Sequence, residues 1–182
     1  MQKLRRDRII EEFNELSRHP ITKVGLTVVL LDHNDPTKWR VTIAGPKDTS
    51  YEDGIFNILV DFPPNYPQKP PEICFLTPIY HLDVNYRVPL SSWDDPLGHV
   101  NISIINWWKP EYRMKVVLAS IFGLFYATSG YCPYGVDRTY EFRNNRDLYE
   151  KKVRYFTQKY ANPSYKSNIR DKDWNFDYPN NA

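Results

Sequence analysis

Residues 62–75 constrain the fold of this 182-residue chain more than any other stretch, because five of the nine positions from 63 to 71 are proline. A proline ring fixes φ and removes an amide donor, so such a run cannot form a helix interior or a central strand. Apolar, β-branched runs lie on both sides of it, at residues 55–60 and 73–76. We therefore predict a rigid loop that joins two strands.

Hydrophobic periodicity gives the remaining elements. Residues 4–18 carry an apolar stripe through Ile9, Phe13 and Leu16, which predicts a helix. The other helical patterns, at 114–125 and 147–160, follow four strand-like runs, at 24–31, 39–43, 55–60 and 73–76. Short connections between successive strands predict an antiparallel meander. The expected fold class is therefore α+β: one helix, a four-stranded meander, an irregular segment, and two or three C-terminal helices.

The first predicted helix also carries charged residues whose environment can be predicted. Its acidic positions, Glu11, Glu12 and Glu15, are expected to face water. Arginines 5, 6 and 8 are expected to form a solvated helix start.

Composition excludes several classes of function. Basic and acidic residues number 24 and 22, so the net charge of +2 gives no electrostatic case for nucleic acid or an anionic membrane. No apolar run approaches the ~18 residues of a membrane span, so no transmembrane segment is expected. Two cysteines exclude a disulfide framework or a Cys-rich metal site and favour a reducing, intracellular compartment. A subunit role would place the chain in the cytoplasm or in a mitochondrial complex. We expect no cofactor.

The pattern of residues 62–75, F-P-x-x-Y-P-x-x-P-P-x-x-x-F, resembles the signature of the ubiquitin-conjugating enzyme family. The run from Trp39 to Pro46, the triplet Ile79-Tyr80-His81 and the helical patterns at 117–126 and 149–160 resemble the same family in the same order. The resemblance implies a family-like domain over residues 1–161, with an insertion at about 86–97. Residues 162–182 then form a C-terminal tail that contains aromatic residues, and we expect it to dock.

The resemblance implies a thioester chemistry that this sequence has lost. The family carries ubiquitin on a cysteine, and an asparagine of a His-Pro-Asn motif supports the oxyanion. Here the motif reads His81-Leu82-Asp83, and Asn101 stands at the cysteine position within the run 98–105. An amide is not a nucleophile, and an ionised Asp83 would repel a developing oxyanion. No catalytic residue is therefore predicted.

Other candidates are weaker. Cys74 lies in a predicted strand and is expected to be buried, whereas Cys132 follows the long helix and could be exposed enough to act as a relocated nucleophile. No metal site is predicted, because the histidines and the carboxylate that could form one, His81, Asp83 and His99, lack the spacing that such a site needs.

Partner contacts are expected where aromatic residues interrupt polar segments. The family's apolar ligase-docking position corresponds to the polar Gln68. The partner-binding candidates lie in the insertion, before the long helix and in the tail; they are Trp93, Trp107, Trp108, Tyr165, Trp174, Phe176 and Tyr178.

These features favour a catalytically inactive, family-like protein that serves as a structural, accessory or adaptor subunit of a larger multiprotein complex, for example a mitochondrial membrane complex. The partners would be other protein subunits. The alternative is a conjugating-enzyme variant that binds ubiquitin or an active conjugating enzyme and assists ubiquitin transfer. A third reading, an enzyme that uses Cys132, also stays open.

Overall fold

The computed structural model describes residues 2–19, 25–86, 95–164, 174 and 176–179. Along the chain, α1 (Gln2–Arg18) precedes four strands, a one-turn helix and three longer helices. The strands are β1 (Leu26–Asp32), β2 (Asp35–Ala44), β3 (Ile55–Asp61) and β4 (Glu72–Phe75), and the later helices are α2 (Ser103–Asn106), α3 (Met114–Gly123), α4 (Val136–Asn144) and α5 (Arg146–Tyr160).

The four strands form one antiparallel sheet in the order β1-β2-β3-β4. Each strand pairs with its neighbour in sequence, for example Val41 with Val28 on one side and Ile58 on the other. The predicted α+β class and the meander are confirmed. The proline-rich loop joins β3 to β4 as predicted, and its Tyr66–Pro67 peptide bond is cis.

The core lies between the sheet and the helices. Trp39, Val41, Phe56 and Ile58 are fully buried, because alternate residues of β2 and β3 share one face. The helix α3 adds Met114, Val117, Leu118 and Ile121, which recur at helical spacing. The helix α5 buries the predicted set, Tyr149, Val153, Phe156 and Tyr160. A main-chain bond from the amide of Ile55 to the carbonyl of Ala161, 2.7 Å long, ties the end of α5 to β3.

The expectation that Glu12 of α1 faces water was wrong. Glu12 is only 2% exposed, because it lies three residues after Ile9 and four before Leu16, on the buried stripe itself. Its carboxylate accepts bonds from Arg8, from the Tyr66 hydroxyl and from the Met114 amide, which compensate for the burial.

The arginines at positions 5 and 8 also do more than start a solvated helix. Arg5 donates to the carbonyls of Phe62 and Pro63, and Arg8 donates to the carbonyl of Tyr112 as well as to Glu12. Their guanidinium groups therefore clamp α1 to the proline-rich loop and to the start of α3. Arg6 is exposed, as expected.

Two helices were not identified from the sequence. The helix α2 is a single turn inside the segment predicted to be irregular, and the helix α4 buries only Arg138 and Thr139. Neither carries an apolar stripe that periodicity could detect. Among the described residues, no helix is long and apolar enough to cross a membrane.

Candidate functional site

The segment that carries Asn101 is held between β4 and residues 79–86, which we call the flap. The amide of Phe75 donates to the carbonyl of Gly98 at 2.8 Å, and the amide of Gly98 donates to the carbonyl of Asn85 at 2.8 Å. The amide of Asn101 donates to the carbonyl of Asp83, also at 2.8 Å. Asn101 and Asp83 are thus neighbours, joined by a main-chain bond.

Asn101 is half-buried, and its side chain is engaged within the chain. Its Oδ1 accepts a 2.7 Å bond from Nδ2 of Asn106, at the end of α2. A carboxamide is neutral and has no lone pair that attacks a carbonyl carbon under ordinary conditions. At this position the chain offers a hydrogen-bond acceptor and no nucleophile.

Asp83 is buried, and its carboxylate is bound by the loop that follows α3. Oδ2 accepts from the Thr128 hydroxyl at 2.7 Å and from the Ser129 amide at 3.0 Å, and Oδ1 accepts from the Ser129 hydroxyl. Three donors to a buried carboxylate are enough to make its burial tolerable. Asp83 therefore fastens this loop to the flap, and its oxygens do not provide donors for an oxyanion. Nothing in the local sequence around Thr128 and Ser129 marks them as donors to Asp83.

His81 is buried beside Asp83 and holds a defined tautomer. Its Nδ1 accepts from the Asp83 amide at 3.0 Å, so the proton is on Nε2, which donates to the carbonyl of Leu124 at 3.0 Å. Burial lowers the pKa of His81, although the Asp83 carboxylate opposes the shift. The imidazole is thus a neutral structural link between the flap and the end of α3.

We expect this neutral imidazole to make the fold less stable in mild acid. An unfolded chain binds a proton at His81 below its ordinary pKa of 6.5, whereas the folded chain resists protonation there. Stability should therefore fall as the pH drops below about 6.5, by up to about 1.4 kcal/mol per pH unit. Urea unfolding between pH 5.5 and 7.5 measures the slope. The H81Q variant should lose this part of the slope, while H33Q, at an exposed turn, should retain it; equal slopes in both variants would contradict the assignment.

His99 belongs to a different set of contacts from His81. Its Nδ1 lies 3.1 Å from the Tyr134 hydroxyl and 3.3 Å from Oδ2 of Asp95. In the part of the chain that the structure describes, no group of three His, Cys, Asp or Glu residues is placed to hold a metal ion.

Both cysteines are buried, which confirms the expectation for Cys74 and overturns it for Cys132. Cys74 is 8% exposed in β4 and Cys132 is 1% exposed, with its amide bonded to Oγ1 of Thr139. Burial, followed by the nearby Glu72 carboxylate, raises the pKa of the Cys74 thiol. Burial also raises the pKa of the Cys132 thiol. The helix α4 packs over the loop at residue 132 and encloses the Cys132 thiol. Its position in the sequence had suggested that this thiol could be exposed.

We expect both thiols to react slowly in the folded chain, since the thiolate is the reactive form and neither group reaches solvent. Ellman's reagent should modify the native protein at least about 100-fold more slowly than the denatured protein, if local opening costs about 3 kcal/mol. Single C74S and C132S variants assign the two rates. A thiol that reacts at the denatured rate would revive a relocated nucleophile.

The partner-binding candidates fall into three groups. Trp107 is 79% exposed, whereas Trp108 turns inward and donates from Nε1 to the carbonyl of Pro67 at 2.6 Å. Phe176 packs against Phe156 with ring centroids 4.9 Å apart, Trp174 packs on Phe176, and Tyr178 packs on Tyr155. Trp93 and Tyr165 lie outside the described residues. Binding of any of these residues to a partner stays a prediction.

A groove on the described part of the protein is separate from Asn101. Its volume is ≈ 930 Å³, and its walls come from the 48–53 loop, the 124–128 loop and α5. His81 contributes to its lining, but Asn101 and Asp83 do not. Asn101 and Asp83 therefore lie outside this groove.

The family comparison agrees with the geometry. The family model described as "Ubiquitin-conjugating enzyme" matches residues 8–157. Ubiquitin-conjugating enzymes E2 7 and E2 13 of Arabidopsis thaliana are each 34% identical over 149 residues, which cover 79% of this chain and 87% of each relative. A probable ubiquitin-conjugating enzyme E2 7 of Caenorhabditis elegans is 31% identical over 157 residues, covering 79% of this chain and 88% of that protein. Together with the helix–meander–helices architecture, these matches place the chain in the ubiquitin-conjugating enzyme family.

Proposed function

We propose that this chain is a catalytically inactive member of the family that serves as a structural, accessory or adaptor subunit of a larger multiprotein complex. The proposal rests on Asn101, which the family resemblance places at the cysteine position and whose Oδ1 accepts a bond from Asn106. Thioester formation needs a thiolate, and this position has none.

The surroundings of Asn101 support inactivity. The nearest altered residue, Asp83, adds a buried carboxylate whose oxygens are taken by Thr128 and Ser129. An oxyanion needs donors that point at it, and a fixed negative charge nearby raises its energy. Both of the chain's cysteines are buried elsewhere, which argues against either as a replacement nucleophile.

A charging assay tests inactivity directly. The purified chain is incubated with activating enzyme, ubiquitin and ATP, and adducts are resolved with and without reductant. We expect no reducible adduct from the natural chain, while an active conjugating enzyme in parallel forms one. The N101C variant is the matched control: an adduct from that variant alone would assign the loss to this one position. A reducible adduct from the natural chain would end the proposal of inactivity.

Exposed apolar side chains support a role in assembly. The helix α4 presents Val136 and Tyr140, which are 74% and 69% exposed, one helical turn apart on one face. Trp107 and Tyr131 add exposed aromatic surface. Aromatic residues of this kind are enriched at the centres of protein interfaces.

Assembly is tested by the native size of the endogenous protein in a gentle detergent extract, followed by mass spectrometry of the proteins that migrate with it. We expect a defined size far above 21.7 kDa with a fixed set of partners. Migration as a monomer would contradict the subunit role. Migration as a small complex with an active conjugating enzyme would instead support the alternative, a variant that assists ubiquitin transfer.

A further inference from the structure

Arg138 is the most unusual charged residue of the described chain. It lies in the first turn of α4, and its side chain is buried, with the residue only 2% exposed. Its Nη1 donates to the carbonyl of His81 at 3.1 Å, but Nη2 has no hydrogen-bond partner among the described residues. No ion pair joins Arg138 to a carboxylate in those residues either. A buried guanidinium without a counter-charge is costly and needs an explanation.

Three aromatic rings surround the guanidinium. Its central carbon lies 3.6 Å from the ring centroid of Tyr86, 4.0 Å from that of Tyr80 and 4.4 Å from that of Phe176. A cation over the face of an aromatic ring is attracted by the ring quadrupole, most strongly where water is excluded. The rings therefore replace part of the hydration that Arg138 loses.

One of these three rings comes from the tail. Tyr80 and Tyr86 belong to the flap, whereas Phe176 lies near the end of the chain. Phe176 also packs on Phe156 of α5 at 4.9 Å, and Tyr178, two residues later, packs on Tyr155 at 5.3 Å. Two aromatic side chains at positions i and i+2 are thus held by neighbouring residues of α5 and by the Arg138 cage.

We propose that Arg138, Tyr80, Tyr86, Tyr155 and Phe156 form a peptide-recognition site, selective for an aromatic side chain over an aliphatic one, which the chain's own segment 176–178 fills. The helix supplies apolar area for both rings. Arg138 supplies the selectivity, because only a π face interacts favourably with the guanidinium. This inference is independent of the proposed loss of catalysis.

The site also connects the tail to the surroundings of Asp83. Arg138 holds the main chain of His81, whose neighbour Asp83 binds the loop at 128–129. A segment that packs on Arg138 therefore stabilises the flap, which also bonds to the Asn101 segment. Any partner segment with the same aromatic pattern would compete for one surface with the tail.

The test uses the full chain with F176A and Y178A, which leaves the site vacant, and a fluorescent peptide with the sequence of residues 172–182. We expect saturable binding by anisotropy, and binding about tenfold weaker when leucine replaces Phe176 in the peptide. The natural chain should bind the labelled peptide much more weakly, because its own tail acts at a high effective concentration. A peptide of the same composition in shuffled order is the control.

Arg138 is tested by asking whether the preference for phenylalanine depends on it. Adding R138M to the vacant chain should make the two peptides bind alike, whereas R143M, on the same helix but exposed, should leave the tenfold preference intact. Circular dichroism checks that each variant is folded. If R138M is not folded, R138K replaces it. Because R138K keeps the positive charge, it should keep part of the preference for phenylalanine. Absence of saturable binding to the folded vacant chain, or a preference that is unchanged in R138M, would overturn the proposal.

Discussion

Replacing Glu12 with alanine is expected to lower the free energy of unfolding by about 3–5 kcal/mol. The carboxylate joins three parts of the protein: Arg8 of α1, the Tyr66 hydroxyl of the proline-rich loop at 2.7 Å, and the amide of Met114, the first residue of α3. Its removal leaves a buried hydroxyl and a buried amide without an acceptor, and Arg8 without its carboxylate partner. Each such loss costs the desolvation of the group left behind.

Glu11 provides the matched control, because it is the adjacent residue and it also pairs with an arginine. Its side chain is 64% exposed, and its partner Arg113 also bonds to Glu15. The E11A variant should therefore change stability by only a small fraction of the effect of E12A. Urea unfolding of both variants gives the comparison. The E12Q variant, which keeps acceptor capacity, should lie between them, and an E12A variant as stable as E11A would refute the role assigned to Glu12.

Replacing Gly98 with alanine is expected to cost about 3 kcal/mol or more. Its φ of +81° is strained for any residue with a Cβ, and a Cβ built there would lie 2.2 Å from the carbonyl oxygen of Phe75. That oxygen belongs to β4 main chain and cannot rotate away. The segment that carries Asn101 would have to move away from β4, which breaks the bonds on both sides of Gly98.

The opposite sign is expected for Gly123→Ala. A Cβ at Gly123, the last residue of α3, meets no atom within 4 Å, and its φ is not positive. Alanine is the better helix former, so this variant should gain about 0.5–1 kcal/mol. Thermal unfolding of the two glycine variants under one condition compares them. A G98A variant as stable as the natural chain would show that the 98–101 segment is not held as described.

Sequence patterns predicted the elements whose side chains obey one period. The stripes of α3 and α5 and the alternation of β2 and β3 are local properties, so their buried residues were foreseeable. Glu12 was assigned to the wrong face because residue type outweighed position: the three donors that permit its burial lie 4, 54 and 102 residues away.

The sequence singles out Asn101 and Asp83, but it does not reveal their contacts. Asn101 and Asp83 could be recognised by their place in a motif, whereas the donors to Asp83 lie more than 40 residues later in the chain. The helix α4 escaped detection because its buried face consists of Arg138 and Thr139. A buried arginine is recognisable only when the rings around it are known, and two of them come from the flap and one from the tail.

The bond between Ile55 and Ala161 joins β3 to the end of α5, so it can form only after α5 has been synthesised. The sheet is complete once residue 75 has been made, but the residues of α3 and α5 that complete its hydrophobic core are synthesised later, up to residue 160. At a synthesis rate of ~5–20 residues per second, the apolar surface of the sheet remains incompletely buried for several seconds. We therefore expect nascent chains that stop before α5 to bind chaperones that recognise apolar strands, and the completed chain to be released from them.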